Sequence, residues 1–274
     1  MAQLMTGMVT ENTPTRVQKD RRQRSSGLLP LTAALLALLW GGAEPLYAGA
    51  GCCEEGQNEV LTAFIWDYSP VGLPLQFGCL LSAASLDLEF KAAGGWAQSV
   101  RQNKHNWKLD WTVLDHFGVD GRDFTYFCGR GIVGGIVLTA NPADNLVMSS
   151  EVDFGDVDLE WVVFDSSLTL GGGTQAVDSW GKNAFKGLHL LIGWKDSRLD
   201  GNSGGEFADE LIGGDSFVAA WMDSDGGCSG QASGTTQRIL AEDWATLVDH
   251  VHGQGFVAPD PIVDGIILNF THDC

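Results

Sequence analysis

The reading of this chain turns on Asp123-Phe-Thr-Tyr-Phe-Cys-Gly-Arg-Gly-Ile-Val-Gly-Gly-Ile-Val-Leu138. Phe124 to Cys128 is an apolar run of strand length, and four glycines between Gly129 and Gly135 stop it abruptly. A buried strand that ends in glycines delivers backbone and a few side chains to the edge of a sheet. In open α/β sheets, ligands and catalytic groups gather at the carboxyl ends of strands. The side chain delivered here is Arg130.

Outward from that stretch, similar runs recur. Val60 to Trp66, Leu159 to Asp165 and Gly187 to Trp194 read as further buried strands, and Gln237 to Ala241 as a last one. Cys79 to Ala93 carries apolar residues at helical spacing, and Gly94-Gly95 stops it. Trp180 to Phe185, Glu206 to Met222 (interrupted near Gly213-Gly214) and Glu242 to His250 read as helices. Trp96 to Trp111 reads as a covering layer, Asn141 to Asp158 as polar loop, and Gly265 to Phe270 as a terminal extended segment. Apolar strands alternating with helices predict α/β: a three-layer αβα sandwich around a mostly parallel sheet. Nothing in 51–274 marks a second domain.

The chain has 274 residues, 44% of them hydrophobic, and a formal net charge of -19. The bases Arg16, Lys19, Arg21, Arg22 and Arg24 gather near the start, so the remainder is more acidic still. Such a surface repels phosphate backbones and excludes nucleic acid as a partner class. A protein or peptide partner is expected instead.

The first fifty residues read as an address. A basic stretch precedes the 13-residue apolar run Leu28 to Trp40, and Ala48-Gly-Ala50 supplies small residues for cleavage. A membrane span needs about 20 apolar residues. The order therefore predicts a signal peptide over 1–50 and a mature chain from about Gly51, exported to a periplasm or beyond. Contact with a membrane is expected only through that segment. Arg21-Arg22 leaves Sec and twin-arginine export both open. The six cysteines (52, 53, 79, 128, 228 and 274) all follow the cleavage point. Disulfides are expected, and six cysteines allow 15 pairings. Cys52, Cys53 and Cys274 read as staples for the ends, and Cys128 as a buried free thiol.

The Asp123 to Gly131 segment resembles the aspartate, apolar strand, Gly-His-Gly segment of caspase- and gingipain-like cysteine peptidases. Leu159-Glu-Trp-Val-Val-Phe-Asp-Ser-Ser167 resembles their next strand, which ends in Asp-Ala-Cys. More narrowly, the mature chain resembles a family of uncharacterised bacterial exported proteins with this fold. Lys186-Gly-Leu-His-Leu-Leu-Ile-Gly193, Phe207-Ala-Asp209, Ala220-Trp221 and Asp260-Pro261 carry that likeness. The resemblance implies a caspase/gingipain-like sandwich with a dyad at two strand ends. Arg130 stands at the histidine position and Ser167 at the cysteine position. A guanidinium does not accept a proton near neutrality, and a serine without a base is a poor nucleophile. The expectation is a pseudoenzyme whose pocket, with Arg130, Ser167, Asp165 and Cys128 around it, binds or supports rather than cleaves. Arg130 would pair with Asp165 or hold an anion.

The rival expectation is an active hydrolase. Gly201-Asn-Ser-Gly-Gly205 resembles the nucleophile loop of chymotrypsin-like peptidases, and His116, Asp165 and Ser203 occur in that family's order. That family's Thr-Ala-Ala-His-Cys segment is absent. In a variant, Ser167 is the nucleophile with His189 or His116 as base. His105 and His116 read as surface or capping residues, and His189 as a hydrogen-bonded core residue. No cofactor is expected. Asp223 and Asp225, with the Asp200-Gly-Asn turn, form only a partial calcium set, because the distal glutamate of a calcium loop is missing.

Overall fold

A computed structural model describes residues 58–198, 203–224, 235–262 and 267–274. The expected signal peptide, Cys52, Cys53, Asp200, Asp225 and Cys228 lie outside the described residues. No helix among those described is long and apolar enough to cross a membrane.

The chain is an α/β sandwich. Its strands are β1 (Asn58–Phe64), β2 (Trp96–Gln102), β3 (Phe124–Cys128), β4 (Arg130–Ile132), β5 (Gly135–Val137), β6 (Leu146–Met148), β7 (Trp161–Asp165), β8 (Leu190–Trp194), β9 (Thr236–Ala241) and β10 (Leu268–Asp273). Its α-helices are α1 (Phe77–Ala93), α2 (Gly173–Asn183), α3 (Ser203–Ile212) and α4 (Phe217–Ser224). Seven strands form the main sheet in the order β10-β9-β8-β7-β3-β1-β2, and β4-β5-β6 form a small second sheet. The pairs β2-β1, β1-β3, β3-β7 and β7-β8 are parallel. The pairs β8-β9 and β9-β10 are antiparallel.

Side chains on a strand alternate between faces, and here that alternation sorts the core. Phe124, Tyr126 and Cys128, with Trp161, Val163, Leu190, Ile192 and Trp194, face one way and pack on α1, α3 and α4. Phe127, Val162, Phe164 and Leu191 face the other way, onto Trp180 of α2, onto Ala184 at its C-terminal cap and onto the small sheet. The central strands are buried on both faces, which is why they read as unbroken apolar runs.

Some expectations need correction. Trp96 to Gln102 is not a covering layer but edge strand β2, half-buried along its length. An edge strand keeps one side in solvent, so its polar residues hid it. The 141–158 loop contains β6, which completes the small sheet. Glu242 to His250 holds only the 3-10 turn Thr246–Val248. Cys128 is not a free thiol. It bonds to Cys79 of α1, with 5.2 Å between the Cα atoms. Cys274 is also disulfide-bonded. The Cys79–Cys128 bridge ties α1 to the strand it covers and spans 49 residues of sequence. Replacing both cysteines with alanine is expected to lower stability by about 2–4 kcal/mol. Urea unfolding without reductant measures this, and an unmoved midpoint would contradict it.

Asp120 lies in the loop ahead of β3 and is fully buried. It accepts hydrogen bonds from the backbone N–H groups of Gly155 and Val157. Burial, and then the neighbouring Asp156 carboxyl, push its pKa up to about 8. In the unfolded chain an aspartate titrates near ~3.9. The fold therefore favours the protonated form. Its contribution is complete below about pH 4 and is lost as pH rises through about 8. Asp156→Asn removes the like charge and leaves both acceptors of Asp120 in place. Stability at pH 8 is expected to rise by about 1 kcal/mol, and the decline between pH 5 and pH 8 to become shallower. Urea titrations at the two pH values test this.

Candidate functional site at the carboxyl edge

In the β3–β7 register Cys128 stands beside Asp165, so the two strands release their chains side by side. The turns that follow touch. A Cβ built on Gly131 would lie 2.2 Å from the Ser167 carbonyl oxygen and 2.2 Å from Thr169 Oγ1. Only glycine allows that approach. Immediately after Ser167, Leu168 adopts φ +63°, a left-handed conformation that costs a non-glycine residue roughly 1–2 kcal/mol. The turn sends the chain back to Trp194, whose carbonyl accepts from Leu170 N–H at 3.0 Å.

Asp165 is the centre of the edge and is 2% exposed. It shares a sheet face with Tyr126 and Trp194, and α1 and α3 cover that face. Its Oδ2 accepts from Tyr126 Oη at 2.6 Å, Ser203 Oγ at 3.0 Å and Ser82 Oγ at 3.3 Å. Its Oδ1 accepts from Trp194 Nε1 at 3.3 Å and is ion-paired with Arg198. The Arg198 guanidinium is buried against the Trp194 ring, 5.2 Å from its centroid. Ser82 also accepts the Gly204 N–H at 2.7 Å, which fixes the start of α3 over the carboxylate.

The structure brings together most of the residues singled out in the sequence, in different roles from those expected. Asp165, Ser167, Cys128, Arg130 and Ser203 all reach this edge. Arg130 is not the partner of Asp165; Arg198 is. The Arg130 guanidinium donates to the Pro74 carbonyl at 3.1 Å and lies over the Tyr68 ring at 5.3 Å. Ser167 is held by the backbone of Arg198. Its Oγ accepts from Arg198 N–H at 3.0 Å and donates to Arg198 O at 3.4 Å. A small pocket opens between these groups, lined by Gln76, Cys79, Gly129, Asp165, Ser167 and Arg198. No histidine lines it.

The candidate bases stand elsewhere. The backbone of His189 donates to Glu160 O, at the amino end of the strands. Asp165 lies five positions along the strand from Glu160, a span of roughly 16 Å at strand rise. His189 is buried, with Nδ1 bonded to Asp249 at 2.6 Å. His116 precedes β3, packs on Phe117 and lies 4.0 Å from Asp115. His105 ends the 3-10 turn Asn103–His105, next to Asp67 and Thr139 in a separate depression. Asp223 is exposed at the end of α4 and joins no cluster of metal-ligating side chains among the described residues.

A family model described as a domain of unknown function, DUF6345, matches residues 81–270. The chain belongs to the DUF6345 family. No curated protein matches it. The DUF6345 match begins inside α1 and ends in β10, so it takes in Ser82, Tyr126, Asp165, Arg198 and Ser203.

Sequence reasoning missed Arg198, Tyr126, Ser82 and Trp194 as members of this site. Tyr126 and Trp194 were legible in principle: they share strand parity with Asp165 once the register is known. Arg198 and Ser82 carried no local signal.

Proposed function

We propose that this DUF6345 domain is an exported, non-hydrolytic module of caspase-like ancestry, whose carboxyl-edge pocket serves binding or structure. The observation that carries this reading is the state of Asp165. Its carboxylate is taken up by Arg198 and four hydrogen-bond donors. The two adjacent parallel strand ends present Arg130 and Ser167, neither of which transfers a proton at neutral pH. Ser167 is spent on backbone contacts, and every histidine considered as a base lies outside the pocket. Arg130, half-buried and next in sequence to the pocket residue Gly129, supplies a cation for the carboxylate or other anionic group of a protein or peptide partner.

One observation favours a second reading, in which Ser203 is a nucleophile: its Oγ lies 3.0 Å from Asp165. Against it, Arg198 already pairs with that carboxylate, and no histidine lines the pocket to take the serine proton. Purified protein, Ser167→Ala and Ser203→Ala should be assayed in parallel with ester and peptide substrates. No turnover above buffer is expected in any of the three. Turnover by the parent that disappears in one serine variant overturns the non-hydrolytic reading and names the nucleophile.

A further inference from the structure

The opposite edge of the sheet, at the amino ends of β3 and β7, holds a second constellation. Asp123 and Glu160 are the residues that immediately precede those strands. They sit side by side because Glu160 N–H and Trp161 N–H both donate to the Asp123 carbonyl at 3.1 Å. His252, from the segment after the Thr246–Val248 turn, leans over both. Its Nε2 lies 3.7 Å from Glu160 Oε1 and 3.8 Å from Asp123 Oδ1. The ring is fixed between Trp161, at 5.1 Å between centroids, and Trp96, at 6.5 Å. One ligand atom from each of the three residues falls within 4.8 Å of the others.

Those separations are longer than hydrogen bonds. The two histidine separations are a few tenths of an ångström wider than the edges of a tetrahedron around an ion held at ~2.1 Å, where ligand atoms stand roughly 3.4 Å apart, so a small inward movement of the three side chains would close the site on an ion. The oxygens are also short of partners. Asp123 is 7% exposed. Its Oδ2 accepts from Glu59 N–H, but Oδ1, which faces His252, accepts no hydrogen bond among the described residues. Glu160 Oε2 is shut off from solvent and has no hydrogen-bond partner. A buried carboxylate oxygen left in that state is costly unless a cation or a proton meets it. The nearby cation Arg122 is already ion-paired with Glu59. Two carboxylates and an imidazole suit a borderline divalent ion better than calcium, which takes six or more oxygens.

We propose that Asp123, Glu160 and His252 form a binding site for one divalent transition-metal ion of the zinc class, with water completing its shell. The ion would join the amino ends of two central strands to the 252 segment. It lies at the far edge from the Asp165 pocket and does not depend on how that pocket is read.

The test uses the full chain, stripped with chelator, dialysed and titrated calorimetrically with zinc chloride. Glu160→Gln and His252→Asn are compared with the parent, and calcium chloride serves as a control ion. His252 is half-buried, so His252→Asn is the variant least liable to disturb folding, and circular dichroism checks that it folds. One zinc per chain is expected in the parent. Affinity should fall at least about 100-fold in either variant, and zinc should raise the melting temperature of the parent alone. Three results would overturn the site: no zinc uptake, uptake unchanged in both variants, or calcium bound more tightly than zinc.

Discussion

Replacing Asp165 with alanine is expected to cost the fold about 3–5 kcal/mol. Domains of this kind are stable by only about 5–15 kcal/mol in all, so the variant should unfold at far lower urea. The size of the effect follows from what the carboxylate holds. Its side chain is fully buried, and the Arg198 side chain is 4% exposed. Alanine would leave that guanidinium in the interior without its carboxylate. Tyr126, Ser203, Ser82 and Trp194 would lose an acceptor together, although Tyr126 and Ser82 remain 2.8 Å apart and can bond to each other. The double variant Asp165→Ala with Arg198→Leu separates the two contributions. If the uncompensated charge dominates, the second substitution should recover at least a third of the loss. A loss below about 1 kcal/mol for Asp165→Ala would mean that the edge is not organised around this residue.

The sequence made the centre of the fold legible, and its margins much less so. β1, β3, β7 and β8 are buried on both faces, so they appear as apolar runs that glycine or polar residues interrupt. β2 has one side in solvent, and its Gln98, Ser99, Arg101 and Gln102 mask the strand period. β6 is three residues long, too short for any period to register. β9 was readable as a strand, but its antiparallel direction depends on which neighbour it meets. The site divides on the same line. Asp165, Ser167, Arg130 and Ser203 sit at breaks between runs, where polar residues stand out. Arg198 could not be connected to Asp165 without the register that sets β8 beside β7. The Cys79–Cys128 bridge needed the placement of a helix over a strand. The Asp123, Glu160 and His252 group was hidden for a further reason: its members are far apart in sequence and meet only because two parallel strands begin at the same level.

The second large effect belongs to that amino edge. Asp249→Ala is expected to lower stability by about 3–5 kcal/mol, although Asp249 lies in no helix or strand. Its carboxylate is fully buried and gathers three separate segments. Oδ2 accepts from Trp161 Nε1 at 3.0 Å and meets His189 Nδ1 at 2.6 Å. Oδ1 accepts from Ala258 N–H at 2.8 Å. Each donor stranded in the interior costs roughly 1–3 kcal/mol, and water cannot replace the carboxylate without opening the core. Trp161 is stacked on Phe217 of α4 at 4.6 Å, so loosening its indole also loosens a helix contact. Asp249→Asn keeps one acceptor oxygen and should lose about half as much. This ordering, alanine worse than asparagine and asparagine worse than parent, distinguishes lost hydrogen bonds from a simple cavity, for which the nearly isosteric asparagine would be neutral. Urea unfolding of the three proteins decides it. Equal midpoints for asparagine and parent would show that the carboxylate's second oxygen and charge contribute nothing to holding β7, β8 and the 249–258 segment together.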